Sequence, residues 1–503
     1  MSDDSRRRIG QRIAVIGGGI SGLAAAHRLI TRDPGCSVVL FEASSRLGGK
    51  IRTEYTDGFL VEGGPDAFIA NKPRGVGLSE ELGLADRFIT PNQRNRGSFA
   101  LRRGRLYPLP EGLTGLIPTK LRPMMESKLI SPVGKARMGL DFVLPARRDD
   151  ADESLGAFLN RRLGNEAVRN LIEPLMAGIY AGDASQLSLE ATFPQLRKAE
   201  REHGGLIRGV IAARRSAERQ QNLAASQASR TGFLSFQHGM STLIDALAIR
   251  LREAGAEIRV ESSVRSIRKR EDGVHGYSVE IEQSGQRSHV DVDQIVLATP
   301  AWGASPLMTP LDADAGAALG EIPHVSTSLV ALAFSANELP NPDTLYGFGY
   351  LVPRTEQREI MAMTWLSSKW EGRVPDGQVL VRAFAGRAGQ EHVFAKDDAS
   401  LVDAVVNELR EVLGIHATPT LERVYRWERG MPQYTLGHLA RMRRIEAGVQ
   451  RLQGFALAGN MFRGVGIPDC IASGEAAADR LLAERKSGLA GASTSDSELV
   501  VTP

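Results

Sequence analysis

Three features of the sequence predict an α/β fold built around a parallel, dinucleotide-binding sheet: an apolar run ending in a glycine fingerprint, a helix-patterned stretch directly after it, and a second apolar run ending in an acid. The run "RIAVI" leads into Gly17, Gly19 and Gly22, which fit G-x-G-x-x-G, and "ISGLAAAHRL" follows with helical character. Glycine inside a strand or helix forfeits about 0.5–1 kcal/mol relative to alanine, so the cluster implies that something must come close to the backbone. The glycines would allow a tight turn, let the backbone reach a pyrophosphate and pack the helix on the sheet, while the helix N–H groups face the negative charge. "CSVVLFEA" then ends in Glu42, twenty residues beyond Gly22, where a carboxylate can accept hydrogen bonds from a ribose.

The rest of the composition narrows the class. The 503 residues are long enough for two or three domains, and 62 basic against 59 acidic residues leave a net charge of +3, which argues against a nucleic-acid partner. No uncharged apolar segment approaches the roughly 18 residues of a membrane span. The opening "SRRRIGQR" lacks an apolar core and reads as a ragged terminus, not a signal peptide. Cys36 and Cys470 are the two cysteines; they form no disulfide framework, and a cytoplasmic location is expected. Charge is unevenly spread, since residues 91–148 carry twelve Lys/Arg against three acids. A block of that kind suits an anionic membrane surface or an anionic substrate, and a solvated basic face is the plainer alternative.

Along the chain, residues 1–90 read as the first segment of the cofactor domain and 91–214 as a helical, basic subdomain facing substrate or membrane. Residues 215–310 read as a second cofactor-domain segment, opening on a polar excursion at 215–231 ("RSAERQQNLAASQASRT"). Alternating apolar and polar residues in "YSVEIEQ" and "HVDVDQIVLATP" predict antiparallel strands, and "STSLVALAF", "IMAMTWL" and "QVLVRAFAG" then predict a second, mainly antiparallel substrate-binding sheet over 311–425. Residues 426–484 close the cofactor domain with strand, glycine-rich turn and helix, and 485–503 read as a disordered tail.

The identity of the cofactor turns on the residues after Glu42. "ASSRLGGK" places Arg46, Gly48, Gly49 and Lys50 just past the ribose acid, and "FLVEGGPDAF" adds Gly63, Gly64 and Pro65, so a ligand longer than a simple nicotinamide site requires lies along this backbone. With these motifs the sequence resembles the FAD-dependent porphyrinogen oxidases of haem biosynthesis, within the amine oxidase flavoprotein superfamily. The likeness rests on R-x-G-G-[KR], on "LATPA" at 297–301, and on "NLIEPLMAGIYAGDASQLSLEATFPQL", "GFGYLVP", "RGMPQYTLGHL" and "FRGVGIPDCIASG". It runs from about Ile13 to Leu482.

The resemblance implies a two-layer, Rossmann-like FAD domain assembled from separated segments, a substrate domain with an antiparallel sheet, and a helical subdomain. It places noncovalent FAD with its pyrophosphate on Gly17, Gly18, Gly19, Ile20, Ser21 and Gly22, and its ribose at Glu42 and Ala43. Arg46, Gly48, Gly49 and Lys50 would border the ribityl and phosphate region, and Gly63, Gly64 and Pro65 would approach the isoalloxazine. Val264 would meet the adenine through its backbone, Thr299 would lie at the flavin strand end, and Val465, Gly466 and Ile467 would close the ring system. Lys72, Arg94, Arg96 and Ile179 are the expected substrate contacts. Each has a plainer alternative as a turn, core or surface residue.

The implied reaction is a six-electron oxidation of a porphyrinogen, with flavin reoxidised by oxygen and hydrogen peroxide released. Coproporphyrinogen III is favoured over protoporphyrinogen IX because Ser98 stands before Phe99, where the protoporphyrinogen-type members would carry a propionate-binding arginine. The nine histidines show no metal-ligand or catalytic spacing, so no metal is expected. His438 and Glu62 are the candidate bases, each with a structural alternative, and the catalytic base is unassigned. Expected partners are the tetrapyrrole, oxygen, a peripheral contact with the inner membrane face, and the next enzyme of the haem pathway. The competing readings are an amine oxidase or carotenoid desaturase, and a tetrapyrrole carrier that keeps flavin only as structure.

Overall fold

The computed structural model describes residues 11–94, 97–110, 113–114, 117–118, 121–223, 232–270 and 275–495. The elements that build the site are, in chain order, β1 (Arg12–Ile16), α1 (Ile20–Arg32), β2 (Ser37–Phe41), α2 (Glu173–Tyr180), α3 (Ser241–Glu253), β3 (Glu257–Arg259), β4 (Gln294–Leu297), β5 (His324–Ser335), β6 (Gln378–Ala385), α4 (Asp398–Leu413), β7 (Leu421–Pro432), β8 (Phe455–Leu457) and α5 (Ile467–Ser495).

Five strands form the parallel sheet in the order β3-β2-β1-β4-β8, with Ala14 opposite Val39 on one side and Ile295 on the other. Every side chain of β1 after Arg12 is apolar and buried, so both faces of the sheet need cover. Ile13, Val15, Val38 and Leu40 pack against Leu23 and Leu29 of α1, Leu243 and Leu247 of α3, and Ile471 and Leu481 of α5. Ala14, Ile16, Val39 and Phe41 pack instead against Ile267 and Val279 of a three-stranded antiparallel sheet, Ser262–Lys269, Tyr277–Gln283 and Gln286–Val292. The expected two-layer domain is therefore three-layered. Alternate residues of β1 are equally apolar, and one helical layer covers only one of its faces.

A second sheet has seven strands in the order β7-β5-β6, then Ile360–Trp365, Gly349–Leu351, Phe99–Arg102 and Arg105–Pro108. It is antiparallel except where Gly349–Leu351 runs parallel to Phe99–Arg102. One face carries Val330, Leu332, Val381 and Ala383 against Leu401, Val405 and Leu409 of α4. On the other, Leu329 and Ala331 meet Phe59, Val61 and Tyr425, which joins this sheet to the cofactor domain.

Several boundaries differ from the sequence reading. The stretch 91–214 is not purely helical, because "FALRRGRLYP" folds as a hairpin whose turn residues, Arg103 and Gly104, both take positive φ (51° and 71°). The division between 425 and 426 falls inside β7, which pairs along β5 from Leu421 to Pro432 and belongs to the substrate sheet throughout. Helical structure from Leu206 to Leu223 enters the expected excursion, and residues 224–231 lie outside the described residues. Likewise α5 runs on to Ser495, into the expected tail, of which 496–503 lie outside the described residues, as do 1–10. Among the described residues no helix is long and apolar enough to cross a membrane.

Candidate cofactor and substrate site

Each glycine of the first turn has its own physical reason. Gly17 turns the chain at φ +111° and donates its N–H to the Phe41 carbonyl at 2.8 Å. A Cβ on Gly22 would lie 1.9 Å from the Gly17 carbonyl oxygen, so α1 can start this close to β1 only without a side chain there. A Cβ on Gly19 would meet nothing within 4 Å. Gly19 caps α1, whose first turn has no side-chain cap and no acid, leaving its N–H groups to an external anion in that open space. Gly18 donates to Glu42 Oε2 at 2.7 Å, and Ser44 holds the other carboxylate oxygen through its N–H and hydroxyl at 2.8 and 2.7 Å. Ala43 beside it is exposed.

The second glycine pair lies along the first. Gly48 donates to the Gly18 carbonyl at 2.8 Å and bridges Gly19 in parallel, while Gly49 approaches Gly19 from φ +57°. Arg46 curls back onto its own loop, donating to the carbonyls of Leu47, Gly49 and Ile51 at 3.2, 2.5 and 3.0 Å. It shapes the loop. Burial pushes the pKa of the neighbouring Lys50 ammonium below its ordinary value. At the third pair, a Cβ on Gly63 would strike the Tyr425 ring at 2.7 Å and one on Gly64 the Lys50 carbonyl oxygen at 1.9 Å. Protein packing itself therefore requires these two glycines.

At the far ends of the row, the strand carrying Val264 begins where Ser262 donates to the Glu42 carbonyl at 2.8 Å, and half-buried Val264 lies at a bulge beside the tip of β2. Thr299 follows β4 next to Gly17, and its hydroxyl is buried without a protein partner. Val465 and Gly466 precede α5, which starts at Ile467. The turn before them is braced by Tyr434, whose hydroxyl accepts from Gly464 N–H at 2.9 Å and donates to the Asn460 carbonyl at 2.6 Å. The helix start without cap or acid, the open space at Gly19, the fixed carboxylate of Glu42 and the orphaned Thr299 hydroxyl together fit a long, anionic dinucleotide.

A family model described as flavin containing amine oxidoreductase matches residues 20–482. The chain belongs to this family. Its cofactor is FAD, and it is an oxidoreductase. Among curated relatives, the coproporphyrinogen III oxidase of Propionibacterium freudenreichii is 37% identical, covering 93% of this chain and 90% of that protein, and that of Staphylococcus aureus is 35% identical, covering 94% and 99%. Protoporphyrinogen oxidase 1 of Arabidopsis thaliana is 30% identical, covering 91% and 85%. A solved structure from Exiguobacterium sp. 255-15, described as a protoporphyrinogen oxidase, superposes with a TM-score of 0.80 at 32% identity, over 94% of this chain and 99% of that one.

Within the flavoprotein the two candidate bases are both enclosed. Glu62, fully buried, accepts from Met240 N–H at 2.8 Å and Thr53 Oγ1 at 2.9 Å, and burial raises its pKa to about 7. His438, also fully buried, stacks on Tyr434 at 4.3 Å and reaches the Phe462 carbonyl through Nε2 at 3.2 Å. It braces the turn before α5, and burial lowers its pKa to about 4. Neither reaches open space, so the geometry gives neither the part of a base.

The two groups oppose one another in pH. His438 is neutral in the fold, so its contribution is lost as pH falls from 6.5 toward about 4. Glu62 is protonated in the fold, so its contribution is full below 4.5 and lost as pH rises to about 7. Each slope is about 1.4 kcal/mol per pH unit, and between pH 4.5 and 6.5 they offset one another. Unfolding midpoints of His438→Gln are therefore expected to fall with rising pH in this window relative to those of Glu62→Gln, which fall with acidification. Parallel profiles for the two variants would contradict this.

On the substrate side, Lys72 is bound through Nζ to both oxygens of Asp469, at 2.7 and 2.6 Å, in the first turn of α5. Arg94 is exposed, and Arg96 lies outside the described residues. Ile179 is 42% exposed on α2. The end of this helix meets a small apolar patch of Val325 and Met361, with Phe384 and Met431, on the sheet face turned to the cofactor domain. Sequence reasoning missed Asp66, Arg382, Trp427 and Tyr434. They bear on the site only through partners elsewhere in the chain, which no local spacing signals.

Proposed function

We propose that this flavoprotein oxidises coproporphyrinogen III to coproporphyrin III, a six-electron loss in which three oxygen molecules become three hydrogen peroxide. One observation carries the choice: the coproporphyrinogen III oxidases among its relatives are 35–37% identical to it, against 27–31% for the protoporphyrinogen oxidases. Bound FAD supplies the acceptor for hydride. The start of α1 neutralises its pyrophosphate, Glu42 fixes the ribose, and Thr299 offers a hydroxyl along the same row. Half-buried Phe384 and Met431 and exposed Ile179, backed by buried Met361 and Val325, offer the apolar surface that a macrocycle needs, and orientation against the flavin is the chain's main contribution to rate. Of the expected cations Lys72 is the nearest in sequence to Gly63, Gly64 and Pro65, and it offers a propionate an ammonium shared with Asp469.

The test is anaerobic mixing with each porphyrinogen while flavin absorbance is followed, then steady-state rates in air. Coproporphyrinogen III should bleach the flavin and show kcat/KM about tenfold higher than protoporphyrinogen IX, equivalent to about 1.4 kcal/mol of transition-state binding. A preference for protoporphyrinogen IX reverses the substrate assignment, and porphyrin binding without bleaching supports a carrier.

The proposal includes a peripheral membrane contact. Met125, Val133, Leu140 and Val143 are 63%, 78%, 47% and 75% exposed, among exposed Arg122, Lys128 and Arg148. Such a face suits anionic headgroups. Cosedimentation with phosphatidylglycerol vesicles should occur at low salt and disappear at high salt, where charges are screened. Retention at high salt would contradict it.

A further inference from the structure

We propose that Arg382 is a positioning residue which, with Asp66 and Trp427, latches loop 62–66 of the cofactor domain to the substrate sheet and so sets where the flavin ring sits; this rests on the reading that the loop borders that ring. Three successive carbonyls of the loop are taken by side chains from the sheet. Arg382 donates through Nη1 to the carbonyls of Glu62 and Gly64 at 2.8 and 2.9 Å, and Trp427 Nε1 donates to that of Gly63 at 2.8 Å. Asp66 then receives Lys369 Nζ and Trp370 Nε1, both at 2.8 Å, and pairs with Arg382 Nη2 at 3.3 Å. Arg382 is 1% exposed. Against the opposing effect of burial, Lys369 and Arg382 hold the Asp66 carboxyl well below the usual carboxylate range.

Connecting loops usually leave their backbone groups to water. This one is closed on two sides, by the sheet at its carbonyls and by the Lys50 backbone against Gly64, so that Gly64 and Pro65 keep its half-exposed edge. Arg382 also lies over the Phe384 ring, 5.3 Å from its centre, two residues along β6. Phe384 belongs to the apolar patch at the end of α2. One strand thus holds the flavin loop and supplies the surface offered to substrate. Misplacement of reacting groups by about 1 Å is enough to slow a reaction about a hundredfold.

The test measures FAD dissociation constants, the visible flavin spectrum and the flavin reduction potential in Arg382→Met, Arg382→Lys, Trp427→Phe and Pro65→Ala proteins. Arg382→Met should weaken FAD binding at least tenfold and shift spectrum and potential, since two buried carbonyls lose their donor. Arg382→Lys should recover part of each shift. Trp427→Phe keeps the ring and loses one donor, so it carries the test if Arg382→Met does not fold; about threefold weaker binding with a changed spectrum is expected. Pro65→Ala leaves the latch intact and reports whether the loop borders the ring. A changed spectrum in Pro65→Ala with none in the Arg382 and Trp427 variants overturns the latch alone. No change in any of the four overturns the reading of the loop and the latch with it.

Discussion

Gly19→Val is expected to weaken FAD binding more than a hundredfold while lowering the stability of the apoprotein by only about 1 kcal/mol. Gly19 has φ −73° and ψ 175°, an extended conformation that valine adopts readily, and a Cβ there meets no protein atom within 4 Å. Valine is a poorer helix N-cap than glycine, so the protein alone loses about 1 kcal/mol. The same side chain would stand where the pyrophosphate reaches the α1 N–H groups, and a hundredfold loss is about 2.7 kcal/mol. Gly22→Val is the contrasting control: its Cβ would lie 1.9 Å from the Gly17 carbonyl oxygen, so the helix must shift and the apoprotein itself should lose stability. Fluorescence titration with FAD and thermal unfolding of both apoproteins separate the two effects. Undiminished FAD affinity in Gly19→Val would remove the assignment of the open space.

Arg162→Met should destabilise the protein by about 3–5 kcal/mol, the range for breaking a buried ion pair on one side only. Arg162 and Asp141 are both fully buried and meet at 2.6 Å. The guanidinium also donates to the carbonyls of Asp141, Leu144, Pro145 and Gly204 at 2.8, 3.1, 3.2 and 3.0 Å, tying three chain segments together. Asp141 holds the start of the helix Leu206–Leu223 through Ile207 N–H at 2.8 Å. Methionine fills the volume and leaves that carboxylate without a counterion. Because α2, which carries Ile179, is packed in the same core through Met176 and Tyr180, the loss should appear as earlier unfolding and raised KM before FAD is released. A midpoint unchanged in Arg162→Met would show that neither the ion pair nor the carbonyl bonds of Arg162 hold this subdomain. Adding Asp141→Leu should restore part of the loss, since it removes the orphaned charge.

What the sequence determined by itself is the glycine-rich turn between β1 and α1 that we propose holds FAD. The apolar run of β1, the glycine spacing, the helix pattern of α1 and the acid after β2 are contiguous, and each is set by a local rule: periodicity, glycine geometry and the reach of a carboxylate from a strand end. The apolar runs of β5 and β6 likewise announced a second sheet, and the hairpin at 99–108 was legible in its Arg103–Gly104 turn but submerged in a basic, helix-rich stretch. Tertiary structure alone decided what the charged and buried groups do. His438 and Glu62 became enclosed struts because of what closes over them. Lys72 is engaged by Asp469, 397 residues away, and Arg382 reaches the Glu62 carbonyl across 320. Glycines 63 and 64 are small because Tyr425 and the Lys50 backbone fill the adjacent space. Local spacing encodes backbone conformation within a few residues; the environment that fixes a pKa, a hydrogen-bond partner or a steric limit is assembled from distant segments, and exists only once the sheets have packed.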